Sequence, residues 1–476
     1  VSQAESLGIK ADYSDETNAT ASSLVTTVGT NGDVLSLVVA EPSISAEDGT
    51  VSTKSVTLGT YTKVSGDSTA ANVATAIAAA INGGTLTHGY TASVATATVT
   101  ITARPGLGKY LNAASKLTEV KSSGATIAGT ITDFAGGVAS KQAVMHYHIS
   151  EYFRMQPKGN CYVGVFPVPA SYTFSEIGDM QNYANGKIRQ IGVYNDAART
   201  VTEFKNDATA IQAILTQQYD LHRPLIALYG ANIKAVTDLA TLNDLNASNN
   251  PEVTLVIGQD GGGLGAYLYN TCGISITDLG AKLGAVSLAK VSESIMWVEK
   301  FNFSNGVELE VLAFANGTLY KDVPASQLDQ LDKYRYVFLR KHIGRDGSYA
   351  NDSHTAVAAS SDYAFIESNR TIHKAIRNGR IALLPLLGMP IILNTDGTMT
   401  EDTLAIYEGA PAPNLDQMVR DGELSGSSEA PGYAVIIDPA QNVLATSLVE
   451  VTFDLLPVGT GRNIKVSIGY VQKIGS

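Results

Sequence analysis

From about Ser140 to Gln259 the chain alternates helix-length segments with short apolar runs. SKQAVMHYHISEYFRM reads as a helix and NCYVGVFPV as a strand. A helix around SEIGDMQNYANG leads to the strand RQIGVYN, and the helix EFKNDATAIQAILTQQYDLH to the strand PLIALYGA. The helix DLATLNDLN and the strand EVTLVIGQ close the series. Strands that alternate with helices of about 10–15 residues predict a mostly parallel α/β sheet. The strands are continuous apolar runs, as a sheet covered on both faces requires.

Residues 30–138 have another texture. From Asn31 to Gly137 seven acidic residues face six basic ones, aromatics almost vanish, and Thr, Ala, Val and Gly dominate. Within it TAANVATAIAAAIN places Val73, Ile77 and Ile81 at four-residue spacing, with Ser68 or Asp67 as N-cap and Gly83-Gly84 as the stop. DVLSLVVA, SVTLGTYTKV and SVATATVTITA alternate as strands do. This predicts a small α+β, strand-rich module inserted into a core formed by 1–29 and 139–330. Residues 1–29 open with a short helix, QAESLGI, and continue as a Ser/Thr-rich connection. The chain enters at Val1 as if in the middle of a domain, so an upstream segment is expected.

Residues 331–476 form a third unit, an α+β portion ending in an antiparallel hairpin. At about 100° per residue, Phe365, Ile372 and Ile376 share one helical face, and Arg370, Lys374 and Arg377 cluster on the other. From Lys333 to Arg380 nine Lys or Arg oppose four Asp or Glu; from Met389 to Asp454 eleven acidic residues oppose one basic residue, Arg420. A solvated helix face explains the cations as readily as an interaction surface does. Two opposed blocks in a chain of net charge −12 suit pairing between copies or with a partner. Val449, Val451, Phe453 and Leu455, a Pro-Val-Gly-Thr-Gly turn, then Ile464, Val466, Ile468 and Tyr470 predict the hairpin.

The acidic balance argues against general nucleic-acid binding, which needs a dense Lys/Arg surface. No run of about 18 apolar residues predicts a membrane span, and no signal peptide is visible. Cys161 and Cys272 sit in apolar surroundings and read as buried free thiols, which suits a reducing cytoplasm.

Chemistry-bearing patterns are sparse. His146, His148 and Glu151 form the best metal candidate, but a spacing of two sets the histidines about 200° apart on a helix, so a packed helix is the better reading. Gln259-Asp260-Gly261-Gly262-Gly263-Leu264-Gly265 follows a strand as phosphate loops do, yet lacks the Lys-Ser/Thr of a P-loop; a tight turn is preferred. Gly422-Glu423-Leu424-Ser425-Gly426 only superficially resembles a nucleophile elbow. Asp346-Gly347 and Asp396-Gly397 read as turns. No catalytic constellation, cofactor or metal is expected.

HYHISEYFRM with PKGNCYVGVF, ISITDLGAKLGAVSLAKVSESIMWVE, YRYVFLRKHIG, SDYAFIESNRTIHKAIRNGRIALLPLLG with LNTDGTM, and the closing GELSG to KVSIGY together resemble contractile tail sheath proteins. The likeness is to the Mu-like and Bacteroidetes-type branch once known only as a domain of unknown function. GDSTAANVATAIAAAIN with VTITARPGLGKYLN is similar to a module of Mu-like sheath and other virion surface proteins. The resemblance covers most of 139–476 and implies a virion subunit assembled in the bacterial cytoplasm, stacked in hexameric rings around a tail tube. Tube, baseplate and tail terminator proteins are the implied partners, with the module facing outward. It also implies a C-terminal arm adding a strand to a neighbour's sheet, which the run from Arg462 to Lys473, with Ile464, Val466, Ile468 and Tyr470, would supply. Arg370, Lys374, Arg377 and Arg380 are the expected tube or inter-subunit contact. Glu401, Asp402, Asp421 and Glu423 are the expected acidic counterpart. A tail tube or surface-array subunit remains an alternative, as does a nucleotide-using enzyme with 258–265 as its phosphate loop.

Overall fold

The computed structural model describes residues 9–465 apart from Val168, Ala170 and Ser428. In the module, β1 (Thr20–Thr27), β2 (Val34–Ile44) and β3 (Val51–Thr62) precede helix α1 (Ala70–Gly83). The strands β4 (Thr91–Ala95), β5 (Thr98–Thr102), β6 (Leu117–Lys121) and β7 (Ala128–Ala135) follow it. They form two antiparallel sheets, β4-β5-β1-β7 and β3-β2-β6. Val73, Ile77 and Ile81 of α1 pack between them against Leu37, Val39, Leu58 and Val99. Burying each such side chain contributes about 1.5–3 kcal/mol.

Two details differ from expectation. The N-cap of α1 is Thr69, whose side chain accepts from Asn72 N, while Asp67 accepts from the Tyr61 hydroxyl at 2.6 Å. The module also begins before residue 30. TASSLVTT, read as a connection, is strand β1, with Ala21, Ser23 and Val25 turned inward. Backbone pairing of Thr17 with Val138 closes the stem.

The core then runs through α2 (Lys141–Met155), α3 (Glu176–Tyr183), β8 (Gln190–Ala198), α4 (Val201–Asp220), β9 (Ile226–Asn232) and β10 (Val253–Leu255). β8, β9 and β10 form a parallel sheet in the order β10-β9-β8. A capping box of Thr200 and Glu203 starts α4. β11 (Gly258–Asp260), α5 (Leu264–Cys272), α6 (Leu279–Leu288) and β12 (Leu312–Phe314) continue the chain, then α7 (Ala325–Lys333), β13 (Leu339–His342) and β14 (Arg345–Ala350). Every residue of β9 is buried. Ala227 and Tyr229 meet Phe204, Ile211 and Leu215 of α4, whereas Ile226 and Leu228 meet Leu279, Ala285 and Val286 of α6. Helices therefore cover both faces of this sheet. The other sheets among the described residues are antiparallel, including β11-β12 and β13-β14.

NCYVGVFPV forms no strand among its described residues and borders a cleft of about 810 Å3 beside β8. DLATLNDLN gives a single 3-10 turn, Leu239–Thr241. The C-terminal unit contains α8 (Ile366–Leu383), α9 (Glu401–Gly409), α10 (Ala412–Arg420), β15 (Tyr433–Ile436) and β16 (Thr452–Leu455). β16 pairs antiparallel with β15. Of the arm, Ile464 is described and exposed; Val466, Ile468 and Tyr470 lie outside the described residues, as does QAESLGI apart from Ile9.

Candidate interaction surface

Helix α8 is the centre of the candidate surface, but the face it buries is not the apolar one. Ile366, Asn369, His373 and Gly379 are buried, while Ile372 and Ile376 are half-buried. Asn369 donates to the Pro251 carbonyl at 3.0 Å. His373 lies 3.0 Å from the buried Glu252 carboxylate. These bonds replace the water that polar groups lose on burial.

Most of the basic cluster is engaged within the chain. Arg370 donates to the carbonyls of Ala289 and Lys290, both at 3.0 Å, closing the C-terminal end of α6. A cation there meets the negative end of the helix dipole. Arg377 donates to the Pro224 carbonyl at 3.2 Å. Burial pushes both guanidinium groups down to about 10, so they remain charged at neutral pH. Lys374 reaches both oxygens of Glu423, at 2.6 and 2.5 Å. Glu423 is buried, unlike Glu401, Asp402 and Asp421, which are exposed; Arg380 is exposed as well. One of the expected charge pairs therefore forms inside a single chain.

The glycine-rich loop is an anion-binding turn whose anion belongs to the chain. Asp260, fully buried, accepts from the amides of Gly262, Gly263 and Gly265 at 3.1 Å and from Leu309 N at 3.3 Å. Glu308 accepts from Leu264 N at 3.0 Å. A phosphate would have to displace two carboxylates that already fill the α5 N-terminus. This arrangement opposes the nucleotide-enzyme alternative.

Burial, then the hydrogen bond and charge of Asp260, push Glu308 up to about 8. A raised carboxyl pKa means the folded state binds more protons than the unfolded chain. Its contribution is complete below the unfolded value of 4.5 and is lost as pH rises through about 8. Glu308 is half-buried, so solvent screening leaves roughly 1–3 kcal/mol. Urea unfolding at about pH 6 and about pH 9 should show this loss, and Glu308→Gln should flatten it. A slope unchanged in the variant would assign it to other groups.

Other singled-out residues are placed as packing. His146 Nδ1 is 3.3 Å from Ser150 Oγ, and Glu151 is salt-bridged to Arg154 at 2.5 Å. Burial pushes His148 down to about 4, with its ring 4.6 Å from that of Tyr194. Among the described residues no three His, Cys, Asp or Glu side chains are grouped to hold a metal. No helix there is long and apolar enough to cross a membrane. Cys272 is buried; Cys161, expected buried, is only half so. Residues 424–426 lie in the turn after α10, where Ser425 Oγ donates to the Pro457 carbonyl at 2.9 Å.

The described residues thus combine one parallel three-stranded sheet with antiparallel sheets of two to four strands. The chain belongs to the DUF2586 family: its N-terminal domain matches residues 25–354 and its C-terminal domain residues 362–475. No curated protein matches the chain. Among solved structures it is similar to a chain of the anti-feeding prophage baseplate, with 15% identity, TM-score 0.46, and 68% of this chain and 80% of that one covered. A sheath tail protein of Desulfitobacterium hafniense has 10% identity and TM-score 0.35, with coverage of 93% and 83%. One from Listeria innocua has 10% identity and TM-score 0.36, with coverage of 93% and 79%.

Proposed function

We propose that this chain is the structural subunit of a contractile tail sheath, stacking in rings around a tail tube and shortening to drive the tube forward. The observation that carries the self-assembly reading is the C-terminal unit. Leu387, Ile392, Leu444, Leu448, Leu456 and Ile464 are all more than half exposed there, and among the described residues the sheet of this unit pairs two strands, β15 and β16. A two-stranded sheet is marginal in water, its open edges are templates for further strands, and clustered exposed apolar side chains mark protein contacts. The ordered motifs across 139–476 supply the sheath assignment. Tube, baseplate and terminator proteins are the further partners of this reading, and the tail of a virion its location.

Because Arg370, Arg377 and Lys374 are engaged internally, the charges left for contacts are Arg380 against Glu401, Asp402 and Asp421. Each exposed pair contributes only about 0.2–1 kcal/mol. Repetition through a lattice makes such a difference cooperative. Negative-stain electron microscopy of the concentrated full-length protein should show hollow cylinders or stacked rings. Arg380→Glu should raise the concentration needed for them, most clearly at low salt. Monodisperse particles under every salt condition would sink the sheath reading.

A further inference from the structure

Beyond Pro457 the described chain is exposed apart from one side chain, Arg462. Its Nε lies 3.2 Å from Asp352 Oδ1 and its Nη2 2.5 Å from Glu367 Oε1. Nη2 also donates to Ser353 Oγ at 3.4 Å, and the guanidinium carbon sits 3.5 Å from the centre of the Phe365 ring. Asp352, Ser353 and Glu367 are each buried, at 6%, 0% and 6% exposure. Ser353 Oγ donates to Glu367 Oε2 at 2.6 Å and Ser353 N to Asp352 Oδ1 at 2.7 Å, so Ser353 links the two carboxylate arms of the pocket.

Two buried carboxylates side by side repel and are costly to desolvate unless a cation lies between them. A flat, delocalised cation can donate to one carboxylate, lie at ion-pair distance from the other and rest its face on an aromatic ring. Arg462 does so: Nη2 donates to Glu367, Nε pairs with Asp352 by charge without a hydrogen bond, and Arg335, over the same ring, adds positive charge near Asp352. An ammonium is a point charge and cannot do all three. The linker leading to Arg462 supplies no competing restraint, because Gly459 and Gly461 have open space around them.

We infer that Asp352, Ser353, Phe365 and Glu367 form a guanidinium-binding pocket, and that its ligand is Arg462 of the same chain. The pocket latches residues 458–465 to the start of α8 and to the segment that follows β14. This inference does not depend on the sheath reading, since the contact is made within one chain.

Hydrogen exchange on the non-assembled full-length protein tests it. Arg462→Gly should accelerate amide exchange about tenfold or more in 351–354, where Asn351 N donates to the Phe338 carbonyl and Ser353 N to Asp352 Oδ1, leaving α4 and β9 unchanged. Arg462→Lys should restore little of the protection. Methylguanidinium at non-denaturing concentration should restore it in 351–354 of the glycine variant. Wild-type exchange in Arg462→Gly would overturn the inference. Equal protection by Arg462→Lys would overturn the guanidinium assignment. Failure of the wild-type protein to form polymers, while exchange responds as stated, would count against the sheath reading alone.

Discussion

Gly280→Ala is expected to destabilise the core by about 2–3 kcal/mol, despite the helix propensity that alanine adds. A Cβ at Gly280 would lie 2.1 Å from the His148 carbonyl oxygen and 2.8 Å from that residue's Cα. One turn later, a Cβ at Gly284 would lie 2.5 Å from the Tyr152 carbonyl oxygen. Two glycines one turn apart on α6 thus face two backbone positions one turn apart on α2. The helices approach to backbone contact, and neither can retreat freely: α6 also covers the parallel sheet through Leu279, Ala285 and Val286. Urea unfolding of Gly280→Ala should show the loss. Gly409→Ala, at the end of α9 with open space around it, should be neutral or slightly stabilising. Equal small effects at both positions would mean that the α2–α6 approach is looser than described.

That helix pair shows what the sequence could and could not convey. The pattern LGAKLGA marks small residues at helical spacing, but not that α2 is what they face. Local periodicity was sufficient where a segment makes its own structure. Val73, Ile77 and Ile81 repeat every four residues and bury one face of α1. The run LIALYGA is apolar throughout because helices cover both faces of β9.

Where the outcome depends on distant partners, the same rules mislead. Leu239, Leu242 and Leu245 recur every three residues as in a helix, yet a single 3-10 turn and an extended segment bury all three. TASSLVTT lacks the bulky side chains that announce a strand, but Ser23 is fully buried because its hydroxyl donates to Glu119 at 3.0 Å. The basic cluster of α8 was legible as a face, but its destinations were not. Ala289, Pro224 and Glu423 lie 49 to 153 residues from the cations they bind. The Arg462 pocket likewise joins that arginine to residues 95 to 110 positions away, which no spacing rule reveals.

Lys282→Met should cost more than any surface change, about 3–5 kcal/mol. Lys282 and Asp278 form a salt bridge across one turn of α6 with both side chains wholly buried, and the Asp278 Oδ1 atom has no protein partner. Burial pushes Asp278 upward and Lys282 downward, each opposed by the other's charge. Removing the ammonium leaves burial acting on Asp278 unopposed, so the variant must hold a protonated carboxyl. Its folded pKa then lies still further above the ordinary value of 3.8. Stability gained by proton binding is complete below the unfolded pKa and is lost as pH rises through the folded one. The deficit of Lys282→Met should therefore be smallest in mild acid and grow toward alkaline pH. Adding Asp278→Asn removes the charge that would be stranded, so the double variant should recover most of the loss and lose the pH dependence. Unfolding free energies of the two single variants and the double, measured in mild acid and in mild alkali, make a complete cycle. If the double variant is as unstable as Lys282→Met, the deficit comes from lost packing of the lysine stem rather than from a buried uncompensated charge. If it recovers, the pair is a case in which leaving one partner alone costs more than dispensing with both.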